Sequence, residues 1–413
     1  MRILCLPYTH TLSHISRPLA IAAELRKRGH QIVFAGDSPK DHFIKSEGFE
    51  VLPAYQVGPN ILFERIRKGE LKFVHDDELA AMIASDRQLF EQVKPDLVLS
   101  DGRFSAPIST GIDNLKQVAI VNVSSTEYRA LPYIPFFEWL PKNLINRETP
   151  LWKSLDRLNL ALEMLVFDNA SAIFKKLSRQ LSLPHKVTAT NCLAGKDLTL
   201  LADIEEYFPA RNLPASYHYI GPLTWESPLP QPAWWPPPKN RQLLAYFTMG
   251  TTWMGGSFAD LYAMIRKHGI NAIISTGGQA KGTRPNELKT IDGEIYVEDY
   301  VNGDLIMREC DVVVCHGGNG TIYQALQNGK PIVGIPTIPD QEFNMRRVVT
   351  LGAGEKLSLK ELQNNPEKLF ELIQAVAGNP SYRANAQKLQ QKLADLKPAQ
   401  KAADLIEKNF LTR

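Results

Sequence analysis

Twice along this chain, short runs of β-branched residues alternate with amphipathic helical stretches, and a proline-dense segment separates the two series. A strand that returns through a helix must pair parallel to its neighbour, because a hairpin turn is too short for that crossover. The alternation therefore predicts two parallel, doubly wound sheets, each with helices on both faces. In the first series, residues 3–6, 31–35, 49–52, 97–100 and 118–123 read as buried strands, with helical periodicity over 16–28 and 79–93. In the second, residues 243–248, 271–275, 295–298, 312–315 and 331–335 read as strands, and 258–267, 321–327 and 344–349 as helices.

A length of 413 residues suits two domains of about 200 residues each. The expected division is a Rossmann-like domain over 1–221, a proline-rich linker over 222–240, a second Rossmann-like domain over 241–382, and a terminal helix over 383–413 crossing back to the first. Proline density forbids helix in the linker and predicts a semi-rigid strap. The stretch 127–178 stands apart, rich in aromatic, proline and leucine residues. It either lines an apolar pocket or caps the core, and if exposed it offers a peripheral membrane contact.

A net charge of +3, spread along the chain, implies no nucleic-acid partner. The amino terminus lacks the apolar core of a secretory signal, and no window approaches the roughly 20 apolar residues of a membrane span. Cys5, Cys192, Cys310 and Cys315 show no metal-ligand spacing, so they read as reduced thiols of a cytoplasmic protein.

Ligands of doubly wound sheets bind at the carboxyl ends of the strands. The first such turn, residues 7–14, has no glycine, which argues against a dinucleotide fold. It offers His10 and His14 instead. The richest turn follows the valine run of 312–314: Cys315-His316-Gly317-Gly318-Asn319-Gly320-Thr321. Glycines opening a helix expose backbone N–H groups at the positive end of its dipole, a site suited to a diphosphate. Beyond it, Gly329-Lys330-Pro331 leads into a strand ending at Pro336, and Asp340-Gln341 stands at the next turn, placed to bond sugar hydroxyls.

The stretch 300–357, with its His-Gly-Gly turn, Gly-Lys-Pro and Asp-Gln, resembles the donor-binding signature of the inverting family 1 glycosyltransferases. That group includes the UDP-glycosyltransferases and the macrolide glycosyltransferases. Residues 14–30 (His-Ile-Ser-Arg-Pro-Leu-Ala-Ile-Ala-Ala-Glu-Leu-Arg-Lys-Arg-Gly-His) resemble the family's first helix. The likeness is weakest over 127–209, where relatives recognise the acceptor. It implies the GT-B fold, two Rossmann-like domains facing across a cleft. It also implies His14 as catalytic base, with His10 the alternative, and Asp101 as the acidic partner that orients it. His316, Gly318, Asn319, Gly320 and Thr321 fall on the diphosphate contacts, and Gly250, Thr251 and Thr252 on a second phosphate loop. Tyr300 and Val301 fall on the nucleobase contacts, Gln324 on the ribose-binding position, and Asp340 and Gln341 on the pair that holds the transferred hexose.

Three departures stand out: Ser13 for the glycine before the base, Asn302-Gly303 for Pro-Gln after the stacking residue, and Gln324 for glutamate. The resemblance implies transfer of a hexose from a nucleotide sugar, UDP favoured and TDP the alternative, to an apolar small-molecule hydroxyl. No Asp-x-Asp adjoins the phosphate turn, so neither metal nor other cofactor is expected. A nucleotide-sugar 2-epimerase of the same fold and a non-catalytic binding subunit are the rival readings.

Overall fold

A computed structural model describes residues 1–135, 149–224, 229, 231–237, 243–248, 258–277 and 295–411. The chain forms two compact units, Met1–Trp225 with Lys397–Arg413, and Glu226–Leu396.

The first unit carries strands β1 (Arg2–Pro7), β2 (Gln31–Gly36), β3 (Glu50–Pro53), β4 (Leu97–Asp101), β5 (Lys116–Val121), β6 (Leu198–Leu201) and β7 (Tyr217–Tyr219). Its helices are α1 (Leu12–Lys27), α2 (His42–Ser46), α3 (Pro59–Arg67), α4 (Asp76–Val93), α5 (Ala106–Ile112), α6 (Pro150–Ala170) and α7 (Ile173–Gln180). All pairings are parallel, in the order β3-β2-β1-β4-β5-β6-β7. Strand β1 shows why this sheet is covered twice. Ile3 and Cys5 pack with Ile15, Leu19, Ala22 and Leu25 of α1, while Leu4 and Leu6 face Leu89, Phe90 and Val93 of α4. The apolar positions of α1 recur every three or four residues, and burying each leucine or isoleucine contributes about 1.5–3 kcal/mol. The helix ends where Gly29 takes φ +86°, a conformation that suits glycine.

Three features differ from expectation in this unit. Helix α1 begins at Leu12 rather than 16, which puts His14 in its first turn. Strands β6 and β7, of four and three residues, are too short to show a period. The insert divides its roles: Phe167 and Phe174 stack on Phe73 at 5.5 and 5.8 Å and cap a core. Leu151, Leu158, Leu162, Leu165 and Val166 instead lie exposed along α6. No described helix is long and apolar enough to cross a membrane.

The second unit holds β8 (Leu244–Thr248), β9 (Asn271–Ser275), β10 (Ile295–Glu298), β11 (Val312–Cys315), β12 (Ile332–Gly334) and β13 (Gly354–Lys356), parallel in the order β10-β9-β8-β11-β12-β13. Helices α8 (Phe258–Lys267), α9 (Gly303–Glu309), α10 (Asn319–Gln327), α11 (Pro339–Thr350), α12 (Leu359–Asn364), α13 (Glu367–Gly378) and α14 (Pro380–Ala394) accompany them. On one face Ala245, Phe247, Val312 and Val314 meet Ile265 of α8 and Phe370 and Ile373 of α13. Trp234 of the proline-rich segment stacks on Tyr296 at 4.4 Å and donates to Glu298 at 3.0 Å. It thereby covers edge strand β10, a row of backbone groups that would otherwise stay open to pairing.

The terminal segment is not one crossing helix from 383. Pro380 restarts a helix, α14, that stays with the second unit through buried Leu389 and Leu393 and an Arg383–Asp311 ion pair at 3.0 Å. Only α15 (Pro398–Phe410) joins the first unit. There Ala402, Ala403 and Ile406 enter the core, and Glu407 accepts from Arg28 at 2.8 Å and His30 at 2.9 Å.

Candidate active site

In each sheet the strand order reverses once, between β1 and β4 and between β8 and β11. Helices leave in opposite directions at such a point, and the crevice they open is where α/β sheets bind ligands.

At the first reversal, Pro7 and Asp101 are register partners at the ends of β1 and β4. The chain after β1 turns into α1 and delivers His14, whose Nδ1 lies 2.6 Å from Asp101 Oδ1. The Asp101 side chain is wholly buried, while His14 keeps 29% of its side chain exposed. An imidazole held this way by a carboxylate presents its other nitrogen outward as a base. Arg17 donates through Nε to Asp101 Oδ2 at 2.8 Å and through Nη2 to Oδ1 at 2.5 Å. Its Nη1 donates to Asn122 Oδ1 at 2.6 Å, and Asn122 donates to Asp203 at 3.1 Å. Gly102, at φ +71°, completes the arrangement. A Cβ there would come within 3.0 Å of Tyr8 and 3.1 Å of His14 Nδ1.

His10 stands apart from this group. Its ring packs edge-on to Tyr8 at 5.2 Å, and its carbonyl accepts from Lys40 Nζ at 2.7 Å. Burial lowers its imidazole below the ordinary value, against the opposing pull of Asp37.

Sequence reasoning missed Arg17, Asn122, Asp203 and Gly102. Arg17 had a signal, since it falls one turn after His14 and one turn before buried Ile21 on the same helix face, and a charge on a buried face needs a partner.

At the second reversal, β11 ends at Cys315 and His316 follows it. Burial lowers its imidazole from 6.5 to about 4, against a hydrogen bond with the Thr248 backbone. It is therefore neutral at pH 7 and offers a dipole rather than a charge. Among the described residues its buried Nδ1 has no hydrogen-bond partner. A Cβ at Gly318 would stand 2.5 Å from His316 Nε2, so only glycine leaves this ring its place. Gly318 caps α10, and Asn319, Gly320 and Thr321 form its first turn, where backbone N–H groups have no intrahelical acceptor. A Cβ at Gly320 would meet nothing within 4 Å.

Asp340 and Gln341 lie in the first turn of α11 rather than in a loop before it. Gln341 is buried, and its Oε1 accepts from Thr337 N at 2.9 Å and Thr337 Oγ1 at 3.0 Å. Asp340 accepts from Asn344 at 3.2 Å, and Asn344 also donates to Gly317 O at 3.0 Å. These bonds tie the turn after β11 to α11. Tyr300 donates to Gly277 O at 3.0 Å. Half-buried Val301 leads to Asn302, whose side chain caps α9 by accepting from Leu305 N at 3.1 Å. Gln324 reaches toward this cap: a Cβ on Gly303 would lie 3.2 Å from its Oε1. Gly250, Thr251 and Thr252 lie outside the described residues.

Residues 273–408 match the family model described as erythromycin biosynthesis protein CIII-like, C-terminal domain. A PGL/p-HBAD biosynthesis glycosyltransferase of Mycobacterium tuberculosis is 27% identical over 396 residues, covering 94% of this chain and 87% of that protein. The glycotransferase of kitacinnamycin superposes with a TM-score of 0.72 at 20% identity, covering 99% of this chain and 98% of the other. The glycosyltransferase SsfS6 of Streptomyces sp. SF2575, complexed with thymidine diphosphate, gives a TM-score of 0.66 at 18% identity, covering 99% of each chain. The fold is GT-B, and the chain is a glycosyltransferase. Within that class the likenesses are those of family 1.

Proposed function

We propose that this enzyme transfers a hexose, with inversion at the anomeric carbon, from a pyrimidine nucleoside diphosphate sugar to a hydroxyl of an apolar small molecule. The observation that carries the reading is the 2.6 Å contact between His14 Nδ1 and a wholly buried Asp101. His14 Nε2 takes the proton of the acceptor hydroxyl as its oxygen bonds to the anomeric carbon and the bond from that carbon to the diphosphate oxygen breaks. The Asp101 carboxylate stabilises the imidazolium that forms. Charge on the departing diphosphate is met by the N–H groups opening α10, its dipole and the neutral His316, so no metal is called for.

The complex of SsfS6 with thymidine diphosphate supports TDP as a donor nucleotide beside UDP. The exposed Leu151, Leu158, Leu162, Leu165 and Val166 of α6 support an apolar acceptor, and the same stripe is the surface on which peripheral contact with a bilayer would rest.

The test has two arms. Melting is followed with UDP, TDP, GDP and NAD, each with and without chelator. A ligand at about 100 times its dissociation constant adds roughly 2.7 kcal/mol, so a UDP or TDP shift that survives chelator is expected. His14→Ala should keep that shift and lose transfer. A shift with NAD alone removes the donor reading, and transfer retained by His14→Ala removes the base. Inversion at C2 with nucleotide loss and no acceptor would make the enzyme an epimerase.

A further inference from the structure

Two side chains face the carboxylate of Asp101, and only one of them has a place in the reaction just described. His14 approaches Oδ1 at 2.6 Å; Arg17 spans both oxygens at 2.8 and 2.5 Å. Arg17 Nη2 also lies 3.0 Å from His14 Nδ1. Nδ1 and Oδ1, 2.6 Å apart, would set lone pair against lone pair without a proton between them, so the Nδ1 proton belongs on the line to Asp101 and Nε2 is left bare. The alternative, Nδ1 accepting from Arg17, would place the proton on Nε2 and leave no base.

We propose that Arg17 is a positioning residue that fixes His14 in its base-competent tautomer and holds back its premature protonation by sharing the charge of Asp101. A buried carboxylate paired with histidine alone draws a proton onto the ring, and the base is then filled before the acceptor arrives. With Arg17 bridging both oxygens, much of that pull is already spent, and a guanidinium 3.0 Å away opposes a second positive charge. Asn122 steadies the guanidinium from the other side, at 2.6 Å from Nη1, and is itself held by Asp203.

The remaining groups around the ring do not replace this effect. Tyr8, at 6.2 Å between ring centroids, donates its hydroxyl to Val57 O, and burial keeps it protonated. His10 lies beyond Tyr8, and Lys40 bonds the His10 carbonyl. Among the described residues, the only carboxylate directly bonded to His14 is Asp101.

The inference rests on His14 as the base, and its test separates the two. In the wild-type protein, imidazole nitrogen resonances of His14, assigned by their loss in His14→Ala, should show Nδ1 protonated and Nε2 bare at pH 7.5. This needs no activity. In Arg17→Gln the acid limb of the kcat profile should move up by about one pH unit or more, the range of a removed neighbouring charge. The rate would then fall roughly tenfold at pH 6.5 and stay near the wild-type rate at pH 9. Arg17→Lys, which keeps the charge without the fork and guards against a Gln variant that does not fold, should hold the limb near its wild-type position. A proton on Nε2 in the wild type overturns the proposal, as does a rate loss equal at every pH in Arg17→Gln. If His14→Ala retains transfer, the base assignment fails while the resonances still decide what Arg17 does to the ring.

Discussion

The two sheets share a strand order and place their candidate groups at the same reversal, yet they arm it with opposite chemistry. At β1 and β4 the turn is built from charged side chains: His14, Asp101 and Arg17 are joined by bonds of 2.5 to 2.8 Å. At β11 it is built from backbone, with glycines at 317, 318 and 320 and a histidine whose burial keeps it neutral. The topology supplies a location, and the turn residues decide what can be done there. A proton acceptor needs a tuned side chain held by another side chain, whereas a diphosphate needs many aligned N–H donors and no Cβ in the way.

The sharpest way to break this contrast is Asp101→Asn. The change should cost activity about 10² to 10⁴-fold through His14. It should also cost about 3–5 kcal/mol of stability, because Arg17, 8% exposed, would be left without its counter-charge. Transfer rates and denaturant unfolding read the two losses separately; a lost rate with stability intact would mean that Asp101 serves His14 alone. The next test sets one glycine of each site against the other. Gly102→Ala meets both a positive φ and a side chain 3.0 Å away, so it should lose about 1–2 kcal/mol from the backbone and transfer with it. Gly318 sits at φ −69°, where alanine is unstrained, and only the His316 ring is in the way. Gly318→Ala should therefore lose less melting temperature than Gly102→Ala and weaken nucleotide binding, measured by calorimetry. Equal destabilisation of both variants would erase the distinction between a strained and a merely crowded glycine.

Most of this was legible because parallel sheets write themselves plainly. Runs such as Val312–Cys315 are apolar throughout, being buried on both faces, and the turns after them have to carry whatever binds. Asp101 also ends such a run, but it is the family resemblance that singles it out. What the sequence hid depended on distance along it: Asn122, just after β5, reaches Arg17, and Asp203, beyond β6, holds Asn122, and nothing local marks them. Nothing local marks Gly102 either, because one clash it avoids is with His14, 88 positions away by number. The role of Asn302 was hidden for another reason. Measured against relatives it is a departure, while to helix α9 it is an N-cap bonded to Leu305 at 3.1 Å, and one residue can answer either demand.

The remaining test, a difference between two pH values, probes the neutral histidine. His316 binds a proton with an affinity lowered from 6.5 to about 4 by burial, so the unfolded chain takes up that proton first as the pH falls. Its contribution to stability is complete above 6.5 and is lost progressively between 6.5 and 4, in the direction opposite to a histidine held by a carboxylate. At pH 5 the loss from this group should be about 2 kcal/mol, since each unit is worth about 1.4 kcal/mol. His10, His185 and His218 are lowered as well, so the whole chain will weaken in acid; the measurement is a difference. Urea unfolding of the wild type and His316→Gln at pH 7.5 and 5 should show the variant losing less on acidification. A variant that loses as much as the wild type would mean that water reaches the ring and that His316 can carry charge to a diphosphate, which would make the second site resemble the first.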